Sequence, residues 1–341
     1  LLDQLRLNES DVEDLIMGCA FPEGEQGFNI ARIVGFLSNL PVEVAGTTVN
    51  RFCGSSMQSI HMAAGSIALN AGKVFVCAGI ESMSRIPMAG FNPMPNANLY
   101  DDKPEVYISM GETAENVAKK YNIGRVEQEE FALLSHQKAT NALKSGNFKN
   151  EIVPIDNGEE IVREDGCIRS DTTIEGLSAL RPAFQEGGSV TAGTSSPLTD
   201  GASAVIVCSE TYAKDHNLPM MAAIRSIAVH GCNPETMGMG PVFATKKALA
   251  RANVTINDVD VIELNEAFAS QALAVINESD MDINRVNIDG GAIALGHPLG
   301  ATGARIVGKA ASLLQSKNKS LALATQCIGG GQGIATVLET V

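Results

Sequence analysis

The sequence predicts an α/β protein made of two related units, with a further segment inserted into the first, and three observations predict it. Apolar, β-branched runs ended by glycine alternate with amphipathic helical stretches. Hydrophobic residues make up 45% of the chain against 19% charged, the balance of a folded globular protein. One order of elements, strand, loop, helix, strand, occurs twice. With 341 residues the chain can build two medium domains or one large one.

In the first unit a strand ending in Thr47-Thr48-Val49 leads to Cys53, then to a helix over Ser55 to Asn70, then to the strand KVFVCAG, Lys73 to Gly79. Ile86 to Pro104 carries four prolines and three asparagines and reads as irregular loop. Met110 to Tyr121 places Ala114, Val117, Ala118 and Tyr121 on one helical face. Glu129 to Leu143 does the same with Phe131, Leu134, Ala139, Ala142 and Leu143. Ile152 to Pro182 is mixed and polar, and SAVIVC, Ser203 to Cys208, reads as another buried strand. Residues 82–197 therefore form an inserted loop domain within an α/β core.

In the second unit the strand Val261-Ile262 meets a helix carrying Phe268, Ala272, Val275 and Ile276. Val286-Asn287-Ile288 then leads through a Gly-rich turn into a helix with Ile306, Val307, Ala310, Leu313 and Leu314 inward, followed by the strand Leu321 to Thr325.

Composition narrows the function. A net charge of −14 argues against nucleic acid, whose binding needs a basic surface to displace counterions, though a local basic pocket can still hold one phosphorylated ligand. The seven cysteines, at 19, 53, 77, 167, 208, 232 and 327, are odd in number and lack CxxC spacing, so neither a disulfide framework nor a zinc site is predicted. No apolar run reaches the roughly 18 residues of a membrane span; the best, Met57 to Gly72, contains Gln58, His61 and Asn70. Leu1 to Ser10 does not resemble a signal peptide. The expected setting is cytoplasmic, or an organelle matrix if a targeting segment precedes Leu1.

Four residues stand out chemically. Cys53, in VNRFCGSSMQSI, lies where a strand stops and a helix begins, and the partial positive charge of a helix N-terminus favours a thiolate. Cys77 and Cys208, inside apolar strands, read as core fillers. His297 lies in GGAIALGHPLGATGAR, whose five glycines allow a ligand close to the main chain but match neither a phosphate loop nor a dinucleotide fingerprint. Cys327 follows LALAT and precedes a glycine run, where a thiol can exchange a proton with a carbon acid beside main-chain N–H donors. Asn265, in ELNEAF, stands where a strand meets a helix, a position at which Asn also serves as an ordinary N-cap.

Taken together, the blocks VNRFCGSSMQSI, MGETAENVAKKY, SVTAGTSSPLTDGA, MGMGPV, ELNEAF, NIDGGAIALGHPLGATGAR and CIGGGQG, in this order, resemble the thiolase family over nearly the whole chain. That resemblance implies a five-layered αβαβα sandwich of two related halves: residues 1–81 with 198–216, the inserted domain 82–197, and residues 217–341. Relative to the family pattern the chain begins inside the first helix, so the first strand is expected to be absent.

The resemblance also implies roles. Cys53 would be the acyl-accepting nucleophile, His297 its activator and Cys327 the acid/base at the α-carbon. Asn265 would hold a water that, with His297, stabilises one oxyanion, and the N–H groups of Cys53 and Gly329 would form the other oxyanion site. Met110 and Phe268 would line the acyl pocket, and Arg169 and Ser196 would contact coenzyme A, a co-substrate; no tightly bound cofactor or metal is expected. The implied reaction is thiolysis of 3-ketoacyl-CoA to acetyl-CoA and a shortened acyl-CoA in fatty acid β-oxidation, by a homodimer or homotetramer. The alternative is condensation of two acetyl-CoA by an acetoacetyl-CoA thiolase. Ser109 stands where acetoacetyl-CoA-specific relatives carry His, which favours longer acyl chains. A decarboxylating condensing enzyme is disfavoured because Cys327 stands where those carry a second His. A non-catalytic scaffold is disfavoured because Cys53, His297 and Cys327 are all present, and a papain-like protease needs no second active Cys.

Overall fold

A computed structural model describes residues 1–341. The strands are β1 Asp14–Gly18, β2 Ala45–Val49, β3 Val74–Ser82, β4 Ile155–Asp156, β5 Ile161–Val162, β6 Asp200–Cys208, β7 Ala223–Gly231, β8 Val261–Leu264, β9 Leu321–Ile328 and β10 Gln332–Glu339. The helices are α1 Leu2–Leu5, α2 Ile30–Leu37, α3 Ser55–Ala68, α4 Ala97–Asp102, α5 Met110–Lys120 and α6 Arg125–Lys144. They continue as α7 Ile174–Ser178, α8 Glu210–Asp215, α9 Gly240–Ala252, α10 Ala269–Glu278, α11 Ala292–Leu295 and α12 Thr302–Ser316.

The duplication predicted from sequence appears in the pairing. The first sheet has the order β2-β1-β3-β6, with β2, β1 and β3 parallel and β6 antiparallel to β3. The second has the order β8-β9-β10-β7, with β8 and β9 parallel and β10 antiparallel to β9; Val286 bridges in parallel to Ile262 where the first sheet has β2. Outside β10 the second sheet carries β7, whereas β6 has no further neighbour.

Strand alternation explains the layers. In β3, Phe75 and Cys77 face the molecular centre, while Val74, Val76 and Ala78 pack outward against Ile30, Ala31 and Tyr212 of α2 and α8. In β9, Ala322 and Ala324 face the centre, and Leu321 and Leu323 pack outward with Leu249 of α9 and Val275 of α10. The central layer is α3 against α12, built on Met57, Ile60 and Ala63 from one and Ile306, Val307, Ala310, Leu313 and Leu314 from the other. Helix, sheet, helix pair, sheet, helix is the five-layered αβαβα sandwich that was expected.

Several local expectations need adjusting. The run SAVIVC belongs to β6, which is an edge strand and half-buried rather than buried. Val286-Asn287-Ile288 makes one bridge and no strand, because Asn287 turns to φ +47° and spends its side chain on the backbone of Leu264. Within the insertion, α5 and α6 form as predicted, and the polar stretch after them holds the short ribbon β4–β5 and α7. Asn265 caps no helix: α10 begins four residues later, with Phe268 at its N-cap.

The contact between α3 and α12 is so close that a Cβ on Gly303 would stand 2.2 Å from the Met57 backbone nitrogen, whereas a Cβ on Gly65, on the exposed side of α3, would meet nothing. Gly303→Ala is therefore expected to destabilise the protein by roughly 1–3 kcal/mol through overpacking, and Gly65→Ala to stabilise it by about 0.5–1 kcal/mol. Urea unfolding midpoints of the two variants check both signs.

Candidate active site

The loop from β2 to α3 is pinned before Cys53 enters it. Phe52 adopts φ +42°, unusual for a bulky side chain, and the Asn50 carboxamide oxygen accepts its N–H at 2.8 Å. The Ser55 hydroxyl donates to the Phe52 carbonyl at 2.6 Å, and Gln326 of β9 donates to the carbonyl of Cys53. The thiol is buried among Ala20 and Leu299, with Phe21 and Met83 against them.

The electrostatics differ from the sequence expectation. Burial pushes the Cys53 thiol up to about 11; the N–H groups of Gly329 and of Cys53 itself pull it down, and the charge of Glu81 adds to the rise. The helix dipole does not dominate, because the first N–H groups of the turn, of Gly54 and Ser55, donate to Arg51 and Phe52 carbonyls rather than to sulfur. Cys327, within β9 and fully buried, is pushed well above the usual thiol range by burial and then by the nearby Cys53. Cys77 is also buried, with its thiol against the Ser59 carbonyl at 3.5 Å, as suits a core filler; Cys208 is only half-buried.

His297 lies between α11 and α12, after Gly296 at φ +91°. Its Nδ1 is 2.7 Å from the Thr302 hydroxyl, which itself donates to the Pro298 carbonyl at 3.2 Å. With the hydroxyl proton spent there, Nδ1 carries the imidazole proton and Nε2 keeps its lone pair. Nε2 is 3.4 Å from the Asn265 amide nitrogen, and the Asn265 carboxamide oxygen is buried without a protein partner. Burial, then the Arg305 guanidinium, lower His297 from 6.5 to about 3, so the ring is a neutral base.

Met110 and Phe268 join Cys327, Met237, Val190 and Ala114 in one apolar cluster, and a Cβ on Gly329 would lie 3.6 Å from the Met110 sulfur. Ser196 donates its N–H and hydroxyl to the Ala267 carbonyl at 3.0 and 3.1 Å, beside the Ser195–Phe268 bridge. Arg169 lies on a polar pocket of about 350 Å³ lined with His136, Gln137, Thr140, Asn141 and Lys144 of α6, and its N–H donates to His136 at 3.2 Å. Ser109 is not brought into the cluster. It is exposed, and its hydroxyl accepts the Glu112 N–H at 3.3 Å as the N-cap of α5. Thr302, which fixes the tautomer of His297, was missed; its only signal was a hydroxyl five residues past the histidine in the same Gly-rich block.

A fold of two α/β halves buries a cysteine from each near the other, and the comparisons with known proteins place it among the acyltransferases. The chain belongs to the thiolase family: residues 1–211 match the family model described as thiolase, N-terminal domain, and residues 218–340 the one described as thiolase, C-terminal domain. Among curated relatives, the 3-ketoacyl-CoA thiolases of Marinobacter nauticus and Bacillus subtilis are 49% and 46% identical, over 98% and 97% of this chain and 88% of each of theirs. The crystal structure of human mitochondrial 3-ketoacyl-CoA thiolase in complex with CoA superimposes with a TM-score of 0.92 at 38% identity, covering 100% of this chain and 89% of that one.

The depressed His297 value sets a pH dependence. With a folded value near 3 and an unfolded value of 6.5, the unfolded chain binds the extra proton between them, so this contribution to stability is complete above pH 6.5 and lost as pH falls toward 3. His297→Gln is expected to flatten the fall of unfolding free energy across that window, read from denaturant midpoints at successive pH values.

Proposed function

We propose that this chain cleaves 3-ketoacyl-CoA with coenzyme A to acetyl-CoA and an acyl-CoA two carbons shorter, through an acyl thioester on Cys53. The observation that carries the reading is the pair of buried thiols, Cys53 from the first half and Cys327 from the second, with the Gly329 N–H aimed at the Cys53 sulfur. The names of the relatives support the substrate class.

In the first half-reaction the Cys53 thiol passes its proton to Nε2 of His297 and the thiolate attacks the 3-keto carbon. The resulting oxyanion collapses, the bond between carbons 2 and 3 breaks, and the acetyl-CoA enolate takes a proton from the Cys327 thiol. In the second, the Cys327 thiolate takes the proton of a coenzyme A thiol. That sulfur attacks the acyl-Cys53 carbonyl, and Cys53 leaves, recovering its proton from His297. The N–H groups of Cys53 and Gly329 serve one oxyanion. A water held by Asn265, with His297, serves the other, and each such donor is worth ~3 kcal/mol in the transition state. Arg169 and Lys144, the cations of the polar pocket, suit the phosphates of coenzyme A in a chain that is acidic overall, and we assign Ser196 a contact with coenzyme A as well.

The division into residues 1–81 with 198–216, 82–197 and 217–341 is likewise our reading. It is supported by the matching order of the two sheets and by the position of the insertion between β3 and β6. No helix is long and apolar enough to cross a membrane. We place the enzyme in the cytoplasm or an organelle matrix, in keeping with seven unpaired cysteines, and read it as a homodimer or homotetramer in keeping with the exposed Phe36, Leu37 and Val42 beside the edge strand β2.

Cys53→Ser is expected to abolish the acyl adduct seen by mass spectrometry after incubation with substrate. Cys327→Ala should lose turnover yet still be alkylated by iodoacetamide at Cys53. An adduct on another cysteine of the unaltered protein would overturn the assignment.

The acyl pocket yields a second expectation. Met110, Phe268, Val190 and Met237 offer apolar contact to an acyl tail, and each buried methylene is worth ~0.8 kcal/mol. Values of kcat/KM for thiolysis should hold or rise from four-carbon to longer 3-ketoacyl chains. A steep fall beyond four carbons would instead favour acetoacetyl-CoA as the substrate.

A further inference from the structure

Glu81 is an acid at the end of an apolar strand, and the site described so far leaves it unused. It is the penultimate residue of β3, on the face that carries Phe75 and Cys77 toward the molecular centre, and it is only 2% exposed. A buried carboxylate needs compensation, and here it comes from neutral donors. One oxygen accepts the backbone N–H groups of Ala20 and Gly300, both at 2.8 Å. The other accepts the Gln26 amide at 2.9 Å and the Phe21 N–H at 3.3 Å, with the Cys19 thiol at 3.7 Å. Gln26 is itself buried and also donates to the Phe21 carbonyl at 3.0 Å.

These donors come from both halves. Ala20 and Phe21 follow β1 of the first; Gly300 belongs to the second, three residues past His297. Both loops reach Cys53: Ala20 and Leu299 pack on the thiol, and the Phe21 ring lies 5.9 Å from that of Phe52. The approach leaves no spare room, since a Cβ on Gly300 would stand 2.7 Å from the Cys19 Cα and 2.8 Å from the Glu81 carboxylate.

We propose that Glu81 is a positioning residue for acyl transfer: its carboxylate clamps the Ala20–Phe21 loop of one half to the Leu299–Gly300 loop of the other, and so fixes the wall around Cys53 and the seat of His297. The proposal rests on the reading of Cys53 as the acylated residue. An amide cannot replace the carboxylate, because all five hydrogen-bonded partners, four N–H groups and the Cys19 thiol, are donors and an amide would turn one of its two atoms into a further donor. The charge has a second consequence, since it opposes a thiolate at Cys53. Its removal therefore leaves the thiol no less reactive toward a small alkylating agent while the geometry for acyl transfer is lost.

The test compares Glu81→Gln with the unaltered protein by three measurements: the rate of Cys53 acylation by 3-ketoacyl-CoA, KM for coenzyme A, and the rate of Cys53 alkylation by iodoacetamide. The expected result is acylation at least tenfold slower, KM within threefold, and alkylation no slower. Wild-type acylation by Glu81→Gln overturns the proposal, as does a parallel loss of acylation and alkylation, which a merely structural role would give. If Glu81→Gln does not accumulate folded, Glu81→Asp decides, because it keeps the carboxylate but draws it back by one methylene from the Ala20 and Gly300 N–H groups, both at 2.8 Å. Acylation at least threefold slower supports the clamp, and a wild-type rate overturns it. Failure of the unaltered protein to acylate Cys53 would instead refute the reading beneath the proposal, and the two failures are distinct.

Discussion

The structure depends on one constraint: its two halves meet backbone against backbone. A Cβ on Gly79 would stand 2.3 Å from the Gly300 carbonyl oxygen, one on Gly300 2.7 Å from the Cys19 Cα, and one on Gly303 2.2 Å from the Met57 nitrogen. None of these positions has room for a side chain. The closeness matters because the proposed reactive groups are divided between the halves, with Cys53 after β2 of the first and Asn265, His297 and Cys327 just after β8, in the loop before α12 and on β9 of the second. Sequence separations of more than 200 residues are closed by this packing and by hydrogen bonds between the halves, such as those of Gly300 to Glu81 and Ala304 to Ser56.

Such closeness has a cost in chemistry. Dry surroundings make both thiols weak acids; for Cys53 the rise from 9 to about 11 is roughly 3 kcal/mol against the thiolate. A helix N-terminus supplies at most ~2 kcal/mol in favourable geometry, which is too little to overcome burial even if its N–H groups were free. Activation must then come from a base that is neutral and ready. In the proposed mechanism the same burial provides it by holding His297 uncharged, with Nδ1 on the Thr302 hydroxyl and the Nε2 lone pair 3.4 Å from the Asn265 amide nitrogen. On this proposal, desolvation that hinders the nucleophile prepares its partner, and proton transfer between them replaces a standing thiolate.

Much of this was legible in the sequence because it rests on local pattern. The helices α3, α5, α6 and α12 and the strands β3, β8 and β9 announce themselves by period and by glycine boundaries, and the reactive residues sit in blocks long enough to reveal the family. What was not legible depended on partners far along the chain. Whether SAVIVC is buried or edge depends on which strands flank it, and β6 has β3 on one side only. The acidity of Cys53 depends on where neighbouring N–H groups point. Glu81 fell outside the run Lys73 to Gly79 and drew no reading, since its donors from Ala20 and Gly300 lie 61 and 219 residues away.

The insertion divides labour with this core. Its helix α5 brings Met110 to the Gly329 turn, and the Glu115 carboxylate on the same helix accepts the N–H groups of Ser189 and Val190 at 3.0 and 2.9 Å, fixing Val190 beside Cys327. Ser109, one residue before Met110, spends its hydroxyl capping that helix, so any influence we propose for it on the acyl end acts through the placement of α5 rather than through its own volume. Cys53, His297, Asn265 and Cys327 all lie outside the insertion, whereas much of the apolar lining lies on it. Chain-length preference can therefore shift with α5 and the 189–196 segment while proton transfer between the two halves stays unchanged. A larger side chain at residue 109 would alter selectivity only if it displaced the cap, which makes helix placement, not pocket volume, the physical variable.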